Sequence, residues 1–307
     1  MNRPFFLVTM DAEGDNLWEN QRAVSTRNAA HVHRFQSLCE LFGLPVTWLT
    51  NHEMANCPIF VEFARDMLKR GTGEIGMHLH AWDSPPAHAK DTKGQVYLTE
   101  YPEEAMVAKV DYMTGLLQDR FGTAPVSHRA GRWSFDDTYA RVLSRFGYLV
   151  DTSVTPHVTW KHVLGDIDGA GGADYRGFPE HPYFIRHGGV SEPGTPELLE
   201  VPVTVTVGAD GRTKWLRPNG SNIRAMLGLI EQSRAEGRPC LVFMLHSSEL
   251  MPGGSPTFAV KREIERLYDD LGCLFDAAKD QYRGATLREF YFHFLSREPG
   301  NAGTVRQ

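Results

Sequence analysis

The chain has 307 residues, of which 41% are hydrophobic and 23% are charged, as in an ordinary globular protein. Its formal net charge of −6 at pH 7 excludes the basic surface that nucleic-acid binding requires, and favours a neutral or mildly polar ligand. No apolar segment is long enough to span a membrane and the N-terminus shows no export signal, so we expect a cytoplasmic protein. The four cysteines lack CxxC spacing, and Cys39, Cys240 and Cys273 lie in apolar runs that are typical of buried free thiols.

Short apolar segments alternate with segments of helical period along the chain. Strands are predicted at 5–9, 45–50, 74–80, 124–129, 148–153 and 240–246, and helices at 28–42, 58–70, 102–121, 136–146, 221–236 and 258–282. This order predicts an α/β protein in which parallel strands are joined by crossover helices. The number of strands favours a barrel over an open sheet.

One stretch interrupts the alternation. Residues 156–196 are rich in glycine, proline and aromatic residues, and we interpret them as an insertion within a single domain that spans 1–307. The insertion could form a lid or substrate wall, and a plain flexible loop fits the composition equally well. A strand pair is expected to follow it, within 198–207.

Polar residues follow or end several of the predicted strands. They are Asp11 and Glu13, His78 and His80, His128 and Arg129, and His246. Because the carboxyl ends of parallel strands lie at one edge of a sheet or barrel, we expect these distant residues to be neighbours. That edge is the expected active site.

His78 and His80 are two residues apart in MHLHAW. In an extended chain, residues i and i+2 project from the same side, so both imidazoles could bind one metal ion. The alternative is a pair of hydrogen-bonded histidines at the margin of a sheet. A nearby pair of carboxylates favours the metal site.

Asp11 and Glu13 supply such a pair, whereas Asp15 with Asn16 is interpreted as a solvated turn. Two close carboxylates can both stay ionised if one binds a cation and the other pairs with an arginine. Arg129 is the candidate partner, because it directly follows an apolar run; the alternative is an ordinary surface arginine.

Other candidates complete the predicted pocket. Arg132 and Trp133 are expected to line it and to bind substrate, although a tryptophan packed in the core is an alternative. His246 follows a buried strand, where a lone histidine is more often structural, and its place beside the other polar residues favours a catalytic role. Candidates for supporting positions behind the site are His52, His128 and Asp151.

With these residues in place, the chain resembles the polysaccharide deacetylases, the NodB-homology carbohydrate esterases. Five motifs occur in the family's order, namely TMDAE, MHLHAW, RAGRW, VDTS and LHSS. The resemblance implies a distorted (β/α)7-type barrel. It also implies roles for site residues: Asp11 as general base, Glu13, His78 and His80 as metal ligands, Arg129 as the residue that orients the base, and His246 as acid.

The sequence departs from the family pattern at three positions. The usual adjacent aspartates are replaced by Asp11 and Glu13, which leaves open which acid binds the metal. The usual second histidine, four residues after the first, is Trp82, so that His80 would take its role. The usual Pro-Tyr of the third motif is replaced by Gly131 and Arg132, which suggests a divergent subgroup with an unusual substrate.

The resemblance implies a metal-dependent hydrolase that removes an acetyl group, most simply an N-acetyl group, from a sugar or polysaccharide precursor. Two imidazoles and one carboxylate suit zinc, with iron, cobalt, nickel and manganese as alternatives. The expected partner is an acetylated sugar, nucleotide sugar or glycan, and a cytoplasmic enzyme would meet the precursors of cell-surface polysaccharides before export.

Three other functions fit parts of the pattern. A protein with the same fold could hydrolyse another non-peptide C–N bond or a glycosidic bond. A non-catalytic relative could bind sugars only. Two histidines and one carboxylate also form the metal site of non-haem iron oxygenases, but the βα order opposes that class.

Overall fold

A computed structural model describes residues 3–15, 17, 24–208 and 210–297. The strands are β1 (Phe5–Ala12), β2 (Val46–Thr50), β3 (Gly73–Leu79), β4 (Ser127–Ala130), β5 (Val150–Asp151), β6 (Tyr183–Arg186), β7 (Gly189–Pro193), β8 (Leu199–Glu200), β9 (Val205–Val207), β10 (Thr213–Trp215), β11 (Cys240–His246) and β12 (Arg283–Gly284). The helices are α1 (Val32–Leu41), α2 (His52–Ala55), α3 (Pro58–Arg70), α4 (Glu103–Phe121), α5 (Asp137–Arg145), α6 (Ile223–Ala235), α7 (Lys261–Lys279) and α8 (Leu287–Leu295). Short 3₁₀ helices lie at Arg27–His31, Ala89–Lys93, Leu98–Glu100, Gly131–Trp133 and Ser247–Leu250.

The main sheet is a curled, incomplete barrel. Its strand order is β11-β1-β2-β3-β4-β5-β8-β6-β7, and β12 pairs with β1. The pairs from β11 to β8 are parallel, whereas β6 is antiparallel to both β8 and β7. In a flat sheet β1 and β4 would lie about 14 Å apart, yet a side chain of β4 contacts one of β1, Arg129 with Asp11. The curl confirms the predicted distorted (β/α)7-type barrel.

Side chains alternate along β1 between two environments. Phe6, Val8 and Met10 pack in the layer between the sheet and the helices, whereas Phe5 and Leu7 lie in the barrel interior. The interior becomes polar toward the carboxyl ends of the strands. This gradient places the ionisable side chains at the end of the barrel where the strands terminate.

The opposite end of the barrel is closed by α8. Its residues Leu287, Phe290 and Tyr291 pack with Phe5 in one apolar cluster, and the rings of Phe5 and Phe290 meet edge to face at 5.2 Å. Water is thereby excluded from the lower barrel, so the polar end is the accessible one.

Helix boundaries follow signals that are visible in the sequence. Helix α3 begins at Pro58 and ends before Gly71, and α4 ends before Gly122. Both glycines have left-handed φ values, 66° and 72°, which glycine adopts at little cost. The predicted helices at 58–70 and 102–121 therefore match the structure closely.

Four details differ from the predictions. Within 156–196 the chain forms the hairpin β6–β7, which extends the main sheet. The strands β8 and β9 do not pair with each other, because β8 joins the main sheet and β9 pairs with β10. Helix α8 was not predicted, and it buries Leu287, Phe290 and Tyr291. Cys273 is exposed on α7, whereas Cys39, Cys57 and Cys240 are buried and all four are free.

Within the described ranges, no helix combines the length and the apolar character that crossing a membrane requires. The assignment of 1–307 to one domain, with 156–196 as a lid, stays a prediction.

Candidate active site

A buried ion pair joins the first and fourth strands at the polar end of the barrel. Asp11 and Arg129 are both buried, and Arg129 Nη1 donates to Asp11 Oδ1 at 2.5 Å. The remaining guanidinium nitrogens donate to Thr9 Oγ1 at 2.8 Å and to the carbonyl oxygen of Thr152 at 3.0 Å. Burial raises the pKa of Asp11, but the charges of Arg129, His78 and His246 and the hydrogen bond from Arg129 together outweigh burial and lower this pKa to about 2. Asp11 is therefore ionised at neutral pH.

Glu13, His78 and His80 form a second cluster, in which all three side chains are buried. Glu13 Oε2 lies 3.5 Å from His78 Nε2 and 3.4 Å from His80 Nε2. The two Nε2 atoms lie 3.0 Å apart. The structure thus groups Glu13, and not Asp11, with the two histidines.

The donor set fits a metal ion. Ligand atoms about 2.0–2.1 Å from a tetrahedral zinc ion lie about 3.4 Å from one another, close to the separations in this cluster. His78 Nδ1 lies 3.0 Å from the carbonyl oxygen of Arg129, and a proton on Nδ1 that donates to this oxygen leaves Nε2 able to bind a metal. Glu13, His78 and His80 could therefore hold one divalent ion.

Close packing fixes the position of His80. The ring of Trp82 stacks on that of His80 at 4.6 Å, and Asp83 Oδ2 lies 3.6 Å from His80 Nδ1. On its other side the backbone of Gly131 passes so close that an added Cβ would lie 2.5 Å from His80 Cδ2. Glycine at 131 is thus required by this approach.

His246 lies across from both carboxylates. Strands β1 and β11 pair in a register that sets Asp11 beside His246, and His246 Nε2 lies 3.7 Å from Asp11 Oδ2 and 4.0 Å from Glu13 Oε1. The other ring nitrogen, Nδ1, lies 2.9 Å from Glu249 Oε2. Arg217 Nη2 donates to Glu249 Oε1 at 3.2 Å.

Glu249 and Arg217 were missed by the sequence analysis. Glu249 is fully buried; burial raises its pKa, but Arg217 and His246 lower it to about 2. It lies in the 3₁₀ turn that directly follows β11, three residues after His246. A carboxylate at that spacing in LHSSEL is the signal that could have revealed it.

The candidate residues surround one cavity of about 430 Å³. Asp11, Glu13, His78, His80 and His246 line it, and so do Arg132 and Trp133, as predicted for the substrate pocket. Trp133 also stacks with Trp160 at 6.4 Å, so it serves both the cavity wall and a small apolar cluster. Trp160 and Val163, from the predicted insertion, form part of the wall.

The proposed supporting residues divide into two groups. His128 Nδ1 lies 2.6 Å from Asp151 Oδ1, and both are buried behind Arg129 on neighbouring strands. His52 contacts Tyr112 and does not line the cavity.

The interpretation of Asp15 as part of a solvated turn is wrong. Asp15 is buried and accepts hydrogen bonds from Ser25 Oγ and from the backbone N–H groups of Arg27 and Asn28. It anchors the start of the following helical segment. Asn16 lies outside the described residues.

Comparison with solved structures places the fold among those of polysaccharide deacetylases. A protein of Parabacteroides distasonis assigned as a glycoside hydrolase/deacetylase has a TM-score of 0.67 and 12% identity, over 98% of this chain and 73% of that one. A protein of Mycobacterium smegmatis assigned as a polysaccharide deacetylase has a TM-score of 0.58 and 16% identity, over 100% and 96%. The PuuE allantoinase has a TM-score of 0.56 and 15% identity, over 96% and 90%.

No protein-family model matches the chain, and no curated protein matches its sequence. The resemblance to polysaccharide deacetylases is thus confirmed at the level of the fold, at sequence identities of 16% and 12%.

Replacing Gly131 by alanine should disturb the His80 position. The new Cβ would lie 2.5 Å from both His80 Cδ2 and the Leu79 carbonyl oxygen, so we expect a loss of about 1–3 kcal/mol in the free energy of unfolding and weaker metal binding. Denaturant unfolding and metal titration measure the two effects. Gly115→Ala is the matched control, because nothing lies within 4 Å of its Cβ; in mid-helix this change should be neutral or slightly stabilising. Unchanged stability and metal affinity in Gly131→Ala would contradict the conclusion that this position requires glycine to place His80.

The Asp11 ion pair should make stability depend on acid pH. Since the pKa of Asp11 falls from an ordinary 3.8 to about 2 on folding, its stabilising contribution is complete above about pH 4 and is lost as pH falls through about 2. The metal-free wild type should therefore be more stable to unfolding than Asp11→Asn at pH 5, and this difference in the free energy of unfolding should decrease as pH is lowered to about 2. Asp119→Asn, on the surface, serves as the control. A difference that stays constant over this range would contradict the ion pair.

Proposed function

We propose that the protein is a metal-dependent hydrolase that removes an acetyl group, most simply an N-acetyl group, from a sugar or polysaccharide precursor. One observation carries the proposal. The same cavity is lined by three features: a donor set that suits a metal ion, an ionised carboxylate, and a histidine that is paired with a second carboxylate. These are the parts that metal-assisted hydrolysis requires.

Asp11 is the proposed general base. Its ion pair with Arg129 keeps it ionised and fixes its Oδ1, so that Oδ2 is the atom that accepts a proton. A carboxylate with a pKa of about 2 is a weak base. A divalent ion bound by Glu13, His78 and His80 would compensate by lowering the pKa of a water molecule to about 7 and by polarising the acyl oxygen.

His246 is the proposed acid. In the protonated imidazole, Glu249 accepts a hydrogen bond from Nδ1. The second proton, on Nε2, then faces the reacting groups near Asp11 and Glu13. When the tetrahedral intermediate collapses, this proton goes to the leaving amine. The backbone N–H of Arg132 is the candidate donor to the developing oxyanion, because the chain at Gly131 passes directly against His80; one such donor contributes about 3–4 kcal/mol.

The test combines metal content with acetate release. Purified protein, loaded in turn with zinc, cobalt, nickel, manganese or iron, is assayed against N-acetylated and O-acetylated sugars and nucleotide sugars. We expect His80→Ala to lose both metal and activity, whereas Asp11→Asn should keep the metal and lose activity by at least a hundredfold. His52→Ala, outside the cavity, is the matched control and should keep both.

Each result is decisive for one part of the proposal. Full metal occupancy in His80→Ala by elemental analysis would overturn the ligand set. Normal turnover by Asp11→Asn would overturn the base. Metal binding without acetate release from any substrate would overturn the deacetylase function and favour hydrolysis of another C–N bond, a candidate that the shared fold of the PuuE allantoinase supports.

Glu249→Gln tests the pairing of His246. The amide keeps the size of the carboxylate but removes the charge that stabilises a protonated imidazole, so we expect kcat to fall about 10²-fold or more with little change in KM. Glu265→Gln, at a surface ion pair, is the control. Equal kcat values for Glu249→Gln and wild type would refute this role.

A further inference from the structure

Arg132 differs from the other arginines of the site in its hydrogen-bond partners. The other two guanidinium groups at the site each face a carboxylate, Arg129 with Asp11 and Arg217 with Glu249. Among the residues that the structure describes, no carboxylate forms an ion pair with Arg132; its Nη1 and Nη2 donate to the backbone carbonyls of Gln95 and Leu164. These two bonds use two of the five N–H donors of a guanidinium.

The surroundings of Arg132 make its charge costly. The group is half-buried, and burial lowers its pKa, although its guanidinium carbon lies 4.5 Å above the ring of Tyr97, a contact that favours the cation. The nearby Glu100 favours the charged form of Arg132 but makes no direct ion pair with it, and its carboxylate accepts hydrogen bonds from the backbone N–H groups of Tyr97 and Asp166. A partly buried cation without a direct ion pair is stabilised further when a ligand brings an opposite charge into contact with it.

The backbone at this position is strained as well. Arg132 and Trp133 have left-handed φ values of 53° and 61°, and within the described part of the chain only His157 shares this feature among non-glycine residues. Each such residue costs about 1–3 kcal/mol. The strained pair places both side chains in the wall of the cavity, and strain of this kind concentrates at sites that bind ligands.

We propose that the substrate is a small acylated sugar that carries a phosphate or carboxylate group, and that Arg132 binds this group. The inference rests on the proposed hydrolase function and adds the charge of the substrate to it. The cavity of about 430 Å³ lies in the range of small-molecule pockets, and Trp133, Trp160 and Tyr97 in its wall offer apolar faces to a sugar ring. The net charge of −6 favours a neutral ligand, but in this proposal the local charge of Arg132 in the cavity wall determines which ligand binds.

The experiment compares neutral and anionic substrates of the metal-loaded protein. N-acetylglucosamine is the neutral substrate, N-acetylglucosamine 6-phosphate and UDP-N-acetylglucosamine test a phosphate, and N-acetylneuraminic acid tests a carboxylate. We expect kcat/KM for at least one anionic substrate to exceed that for the neutral one by tenfold or more. Arg132→Gln should remove this preference by raising KM for the anion, while Arg132→Lys should restore part of it. Arg141→Gln, on the outer surface, is the control.

Binding of inorganic phosphate, measured by calorimetry on metal-loaded wild type and Arg132→Gln, separates the two proposals. Acetate release with equal kcat/KM for neutral and anionic substrates, together with equal phosphate affinity in both proteins, would overturn the anion site and leave the hydrolase function standing. Phosphate affinity that falls at least tenfold in Arg132→Gln, without acetate release from any substrate, would support the anion site and overturn the deacetylase function. If Arg132→Gln fails to fold, Arg132→Lys and the wild-type substrate comparison still decide the question.

Discussion

The ion pair between Asp11 and Arg129 is the constraint on which the site depends. The two residues lie on strands that are separated by two others, and their side chains meet only because the sheet curls around its own interior. The same curl brings Glu13 close to His78 of β3 and to His80, which follows that strand. Removing either partner would leave a buried charge without compensation, which typically costs about 3–5 kcal/mol. The position of Asp11, the proposed base, therefore depends on the curl of the sheet, and the ion pair in turn stabilises that curl.

The barrel interior has an apolar lower part and a polar upper part along β1. Apolar side chains such as Phe5 and Leu7 fill the lower part, where α8 closes the end. Thr9 and Asp11 follow on the same face of β1, where the hydrogen bonds of Arg129 satisfy them. A strand with period-two alternation can thus bury a charge at one end, provided that its neighbours supply the opposite charge at the same height.

The local structure and the candidate residues of the site are predictable from the sequence because both depend on short stretches of chain. The six predicted strands and six predicted helices correspond to elements of the structure, and polar residues at strand ends identified Asp11, His78 and Arg129 as neighbours. Glu249 could not be recognised in the same way, since its importance comes from a buried contact with His246 and Arg217 and not from any periodicity. The exposure of Cys273 likewise depends on which face of α7 packs inward.

The partners of His246 and of Asp11 come from very different distances along the chain. His246 and its carboxylate partner belong to a single turn of chain, so their hydrogen bond forms by local folding alone. Asp11 and Arg129, by contrast, are 118 residues apart and meet only in the assembled sheet. A fluctuation that flattens the barrel would therefore separate Asp11, the proposed base, from its arginine, while His246, the proposed acid, keeps its carboxylate partner.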